Sequence, residues 1–399
     1  MLLLISTTEI SNWFFFRIDA VIRMLFCNFA INMTKARSQE ETQYDKKIST
    51  IENLRFPMAV LIVFLHSKNR VSFAETIQTD FSVFQYVEGF FSGTLASIAV
   101  PLFFFISGYL YFQHFTTWNW ETYFRKSRRR IYTLLIPFIV WNVLKLFSLC
   151  IEAFPTYGLS GVFHVLNEYG WWRIFWDGNT DLSAPILQST WFLRDLIIFC
   201  LLTPVVHLLV KRAKSLPLII LFFCNIFNVW PTEYICKASA FFPFLFGATS
   251  SILEKDVFNL FSSIRFSCYL LTGILALFLT VTKADSIIWF LYTTCGIIAL
   301  LNLSSQFNKQ MKRVIPIYCT QSSYFIYLGH SFLILSGFTW LFSQILPYNS
   351  EGWLIIRYFL SPIATVIFLV YLYIIFRRYV PRVLFFLLGE KIILSHRRE

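Results

Sequence analysis

Long apolar runs separated by short polar and mostly basic segments set the pattern of this chain. Ten runs reach or approach the roughly 17–25 residues that a ~30 Å hydrocarbon core demands of a helix. They are Ile51–Ser67, Thr94–Phe112, Ile131–Cys150, Thr190–Val210, Leu216–Trp230, Ala238–Leu253, Phe266–Val281, Ser286–Leu303, Pro316–Leu341 and Trp353–Phe376. The pattern predicts an all-α polytopic membrane protein, a bundle of about ten transmembrane helices. No inverted repeat and no low-complexity stretch interrupts it.

The flanks read differently. Residues 1–50 form an N-terminal segment in which Arg17, Asp19 and Arg23 break the only apolar stretch, making residues 1–32 a poor signal peptide and a poor span. A start at Met33 is the expected reading, giving a polar cytoplasmic N-terminus. Residues 51–376 are the membrane domain, and residues 377–399 a basic tail. Lysine and arginine gather on one side: Lys35, Arg37, Lys46 and Lys47, then Arg125 to Arg130, Lys211 to Lys214, and Arg377 onward. That asymmetry predicts a multi-pass plasma (inner) membrane protein with both termini in the cytoplasm.

Composition narrows the class further. A mean hydropathy of +0.61 with 57% hydrophobic and 14% charged residues is too apolar for a soluble protein. The net charge of +12 sits in clusters between apolar runs, where it orients the chain in a lipid bilayer instead of binding nucleic acid. Eight cysteines stand apart without a CxxC pair, so neither a metal site nor a disulfide framework is expected.

The candidate chemistry begins in the first run, IENLRFPMAVLIVFLHS. Arg55 and His66 are eleven residues apart, three helical turns plus a small offset, so they share a face about 16 Å apart. Ionisable residues inside a span are costly and mark cavities or polar pathways. A histidine there either acts as a general base or serves as an interhelical hydrogen-bond partner. In the second run, Ser107 and Gly108 permit close helix packing or a break lining a cavity. FRKSRRR, ending in Arg128, Arg129 and Arg130, attracts polyphosphates or anionic lipid headgroups. Arg194 and Asp195 in TWFLRDL pair with each other or bind a polar substrate. Tyr324, Tyr327 and His330 are spaced three apart on one helix face, with His330 near the depth of His66. Between Ile151 and Ser189, Tyr169, Trp171, Trp172, Trp176, Asp177 and Asp181 suit either an interfacial aromatic belt or stacking on sugars.

Arg55 and His66, then FFFISGYL, then the basic segment leading into IYTLLIPFIVWNV, then WFLRDL, together resemble acyltransferase family 3, integral-membrane enzymes that modify surface and secreted glycans. The resemblance runs from about Ile51 to Phe376. It implies a ten-helix core, acyl-CoA (acetyl-CoA first) as a cytoplasmic co-substrate with no permanently bound cofactor, and a carbohydrate acceptor on the far side. Carried onto this chain, it makes His66 the catalytic histidine. Arg55 helps hold the donor or shape the site, and Arg128 to Arg130 lie near its phosphates. Many members carry a tryptophan and a glutamate where Trp191 and Asp195 stand, so the acidic role here departs from the pattern. Two other classes compete: a transporter or flippase for a glycan or its lipid-linked precursor, and a membrane scaffold. Acyl-CoA binding separates the first from the enzyme, and the buried Arg55 and His66 argue against the second.

Overall fold

The computed structural model describes residues 48–68, 83–113, 119–176, 184–230, 236–257, 262–282, 285–310, 315–347 and 350–389, without the side chains of Trp171 and residues 308–310. The N-terminal segment, the far basic tail, Asp177 and Asp181 lie outside them. By contacts the chain divides into Met1–Thr50 and Ile51–Glu399. Everything below concerns the second unit, apart from the first turn of its leading helix.

Helices dominate, as the apolar periodicity requires. In chain order they are α1 (Ile48–Leu65), α2 (Val83–Phe112), α3 (Trp120–Trp176), α4 (Trp191–Leu201), α5 (Thr203–Ala213), α6 (Leu216–Ile226) and α7 (Ala238–Ile252). Then come α8 (Arg265–Val281), α9 (Ser286–Gln310), α10 (Ile317–Gly329), α11 (Leu335–Ile345), α12 (Glu351–Tyr379) and the short α13 (Pro381–Leu388). No strand occurs among the described residues.

Each of the ten expected runs is largely helical. Among the described residues, seven helical stretches are long and apolar enough to cross a bilayer, and the α4–α5 pair makes an eighth if its 59° bend lies within one span. Pro204 opens α5 and explains the break, since it removes a backbone donor from the helix. α6 and α7 have 11 and 15 residues, about 16 and 22 Å, which is short of a ~30 Å core.

Two stretches between the expected runs are wholly or partly helical. The basic segment Phe124–Arg130 forms the first turns of α3, which continues through Pro137 and Pro155 to breaks at Gly158 (φ 58°) and Gly170 (φ 49°). Much of the supposed outer loop 151–189 is therefore helical. α2 likewise starts earlier than the apolar run, passing through a π-helical turn at Gly89–Thr94.

Lipid tails are as apolar as leucine, so packing and close backbone approach must hold such a bundle together. α2 and α7 supply the closest approach. A Cβ on Gly108 would collide with the Phe244 carbonyl and lie 3.1 Å from the Ala248 nitrogen; one on Gly247 would strike the Phe105 carbonyl and lie 2.8 Å from the Tyr109 nitrogen. One buried cluster joins α1, α2, α9, α10, α12 and α13, and a second joins α2 to α4–α7. Phe266, Leu270, Ile274 and Leu277 of α8 face outward, as a lipid-facing helix requires. At the basic end, α13 is tied down by Trp141 Nε1 donating to the Leu387 carbonyl at 3.1 Å. Gly389 ends it at φ 65°, where a Cβ would meet Pro137 at 2.7 Å.

Substituting Gly247 by valine is expected to force α2 and α7 apart. The cost is that of overpacking, about 1–3 kcal/mol or more. Thermal unfolding of the detergent-solubilised protein should show a lower midpoint, and an unchanged midpoint would contradict the close packing.

Candidate active site

α1, α2, α3, α10, α12 and α13 enclose a cavity of about 840 Å³, closed on one side by Phe192 and Leu196 of α4. That volume lies within the ~300–1,000 Å³ typical of small-molecule sites. Its chemistry is one-sided. Arg55, Lys126, Arg129, Arg130 and Arg377 line it, with no carboxylate among the described lining residues.

The helical period of α3 decides which basic residues take part. Lys126, Arg129, Arg130, Thr133 and Leu134 recur at i, i+3, i+4, i+7 and i+8 and share the cavity face. Arg128 falls on the other side, exposed, with its guanidinium 5.9 Å from the centroid of the Tyr132 ring. Expected beside Arg129 and Arg130 at a donor site, it does not join them in lining this cavity. Lys126, Arg377, Gln321 and Tyr373 were not singled out in the sequence and do line the cavity. Lys126 Nζ donates to the carbonyls of Tyr111 (3.1 Å) and Gln113 (3.0 Å), and Arg377 donates to Gln321.

Ser107 lines the cavity, while its neighbour Gly108 is consumed by the contact with α7. Small residues at adjacent positions therefore serve both purposes weighed from the sequence. Tyr324 and Tyr327 stack with ring centroids 6.2 Å apart along the cavity wall. Tyr327 is the last lining residue of α10, and the His330 ring lies 6.4 Å beyond it.

His330 is fully buried and opens a π-helical turn, His330–Ile334. Turns of this kind inside helices are frequent at functional sites. Its Nδ1 faces two carbonyl acceptors, Ile326 at 3.1 Å and Tyr327 at 2.8 Å. Carbonyls only accept, so Nδ1 carries a proton. The His66 ring lies 5.0 Å from that of His330, at a 47° tilt. The two histidines that the sequence placed at similar depth are thus brought together, past the cavity end that Tyr327 marks.

The position of His66 is held by its helix end. Its amide donates to Ile62 O at 3.2 Å, and Ser67 Oγ donates to Val63 O at 2.9 Å. Ser92 of the Gly89–Thr94 turn donates to the Phe64 carbonyl and shares a 2.6 Å hydrogen bond with the Tyr358 hydroxyl. On the other flank, the turn Leu187–Thr190 grips α10: Tyr327 OH donates to Ser189 O, and the Ser189 and Ser331 hydroxyls lie 2.6 Å apart. Asn142 braces that turn, accepting from Leu187 N at 3.0 Å and donating to Thr190 Oγ1 at 2.9 Å and Phe138 O at 2.7 Å.

The residues expected from WFLRDL lie apart from the cavity. Arg194 Nε donates to Asp195 Oδ1 at 3.1 Å, both side chains being buried, and Arg194 Nη1 donates to Trp176 O at 3.0 Å. The same guanidinium lies over the Trp176 ring at 5.4 Å. Of the two roles open in the sequence, the internal charge pair is the one present. Trp191 packs against Phe104, 6.0 Å between ring centroids, in the cluster joining α2 to α4–α7. Trp172 stacks on Trp176 at 5.2 Å and stays exposed.

A multi-pass membrane protein with a cation-lined interior cavity and two imidazoles beyond it is the class that this architecture defines. A family model described as an acyltransferase domain matches residues 48–389, so the chain belongs to acyltransferase family 3. It is also 25% identical over 368 residues to the succinoglycan biosynthesis protein ExoH of Rhizobium meliloti (strain 1021), covering 87% of this chain and 94% of that protein. No solved structure matches the chain. Family membership favours the enzyme over the transporter and scaffold classes.

Replacing Asn142 with alanine is expected to leave the buried Leu187 amide without an acceptor, at a cost of about 1–3 kcal/mol. Hydrogen exchange at Leu187 should accelerate and the melting midpoint should fall. Protection equal to wild type would show that the turn does not depend on Asn142.

Proposed function

We propose that this protein transfers an acyl group, acetyl in the first instance, from acyl-CoA to a hydroxyl of a surface or exported polysaccharide. The observation that carries the reading is the cavity itself: five cations with no carboxylate among the described lining residues, ending one helical turn from paired histidines. Membership of an acyltransferase family and the likeness to a succinoglycan biosynthesis protein support the reaction type and a polysaccharide acceptor.

Arg55, Lys126, Arg129, Arg130 and Arg377 hold the nucleotide phosphates at the cytoplasmic side, where charge-assisted hydrogen bonds are strongest. The pantetheine arm, about 20 Å long, follows Ser107, Tyr324 and Tyr327 inward, so the charged head never enters the hydrocarbon. His66 receives the proton of the acceptor hydroxyl as its oxygen attacks the thioester carbonyl carbon. A C–O bond forms, the C–S bond breaks, and the imidazolium returns the proton to the leaving thiolate, giving free CoA. His330, with its Nδ1 proton given to two carbonyls, packs against His66 and orients it.

His66→Ala is expected to keep a cooperative melting transition and lower acyl transfer by about 10²–10⁴-fold. Wild-type rates in that variant would refute the catalytic role. Arg129→Gln and Arg130→Gln should each raise KM for acyl-CoA by roughly tenfold, the worth of a charged hydrogen bond, with KM for the glycan unchanged. Arg128→Gln, on the outer face of α3, should change neither; a KM effect equal to that of Arg129→Gln would overturn the cavity assignment.

A further inference from the structure

The cavity stops short of the histidine pair: neither His66 nor His330 is among its described lining residues. The directions of the helices show what stands between. α2 begins at the histidine level, where Ser92 donates to the Phe64 carbonyl, and ends among the cations, where Lys126 donates to the Tyr111 carbonyl. Its innermost lining residue is therefore Phe103. α10 runs the other way, from Gln321 beside Arg377 to Tyr327, whose ring is 6.4 Å from that of His330. α4 starts from the turn whose Ser189 meets Ser331, and the first residue it gives to the cavity is Phe192. Each of these three helices ends its share of the cavity on an aromatic ring.

The three rings touch. Phe192 lies edge-on to Tyr327 at 5.7 Å and 75°, and Phe103 lies 6.3 Å from Phe192, within the ~4.5–7 Å of packed aromatic pairs. On α1, Ala59 and Ile62 share the face of Arg55 and His66, are fully buried and do not line the cavity, so that side is packed as well. Tyr327 is fixed, stacked on Tyr324 at 6.2 Å with its hydroxyl bonded to the Ser189 carbonyl. Phe192 is half-buried in the first turn of α4, 4.5 Å from Phe104. A donor arm that brings its thioester to His66 therefore slides along Tyr327 and displaces Phe192.

We infer that Phe192, set against Tyr327 and Phe103, determines which acyl groups react, admitting unbranched ones and excluding those branched next to the carbonyl. With the thioester carbon at His66, the sulfur and the methylenes behind it lie between these rings. The neck then opens to the girth of a methylene chain, and a straight acyl group of the same girth enters without further displacement. A second substituent beside the carbonyl has to push the rings apart against their packing. One methyl group in such a pocket is worth roughly 10–200-fold in kcat/KM. The inference rests on the acyl-transfer reading and names the acyl class for it, and donor binding tests it separately.

n-Butyryl-CoA and isobutyryl-CoA test this, being isomers that differ only in branching. Full-length protein in nanodiscs would be given each, with the cell-surface polysaccharide isolated from a strain lacking the protein as acceptor, and release of free CoA followed. Wild type should prefer the straight isomer by at least about tenfold in kcat/KM. Phe192→Ala should raise the rate with isobutyryl-CoA and bring the ratio to within about twofold, with Phe192→Leu between the two. Arg130→Gln, at the cation end, should slow both isomers and keep the ratio. Calorimetry with the unreactive thioethers S-butyl-CoA and S-isobutyl-CoA should show the same order of affinity in wild type and in His66→Ala. Wild type that uses and binds the two isomers alike overturns the proposal, even if the Phe192 variants fail to fold, and so does a ratio unchanged in folded Phe192→Ala. No turnover with either thioester, alongside tighter binding of S-butyl-CoA, would sink the acyl-transfer reading and leave the neck standing; no turnover with the two thioethers bound alike overturns both.

Discussion

Positive charge gathered around one cavity is the constraint on which this structure turns. Cations from α1, α3 and α12 converge on it, with no carboxylate among its described lining residues. Such an arrangement is tolerated in a membrane protein when an anion occupies it or when polar groups share the burden, as two carbonyls do for Lys126. The remaining architecture keeps that charge at one end of the bundle. The glycine contacts between α2 and α7 fix the helix bearing Ser107, and α13 closes the basic end beneath Trp141.

From that cavity the structure leads to a second polar level. His66 and His330 are placed by unrelated devices, a helix end stapled through Ser92 and a π-helical turn braced by Tyr327, Ser189 and Asn142. Two independently supported imidazoles whose rings come within 5.0 Å imply that their separation is what the supports exist to maintain. The family to which the chain belongs supplies the reaction type, and the geometry sets a cation-lined cavity apart from the histidine pair.

Much of this was legible in the sequence because membrane helices are written in length and hydropathy. Eleven-residue spacing put Arg55 and His66 on one face; Arg55 lines the cavity, and His66 lies beside His330. What escaped notice did so for physical reasons. A run such as FRKSRRR reads as a solvated loop by charge, yet Lys126, Arg129 and Arg130 already stood at helical spacing, which is how Arg128 comes to face away. The bend after Leu202 was signalled by Pro204, whereas the turn at His330 has no proline or glycine within it and is set by tertiary contacts. Arg194 and Asp195 left two roles open, and only their burial against Trp176 separated them.

The central claim is that donor and acceptor approach the histidine pair from opposite membrane faces. Sealed proteoliposomes with a single protein orientation test it directly, with acyl-CoA supplied to one face and the glycan to the other. Acylation is expected only when acyl-CoA meets the face bearing Arg129, Arg130 and Arg377 while the glycan is on the opposite side. Equal turnover with both substrates confined to the same face would contradict it.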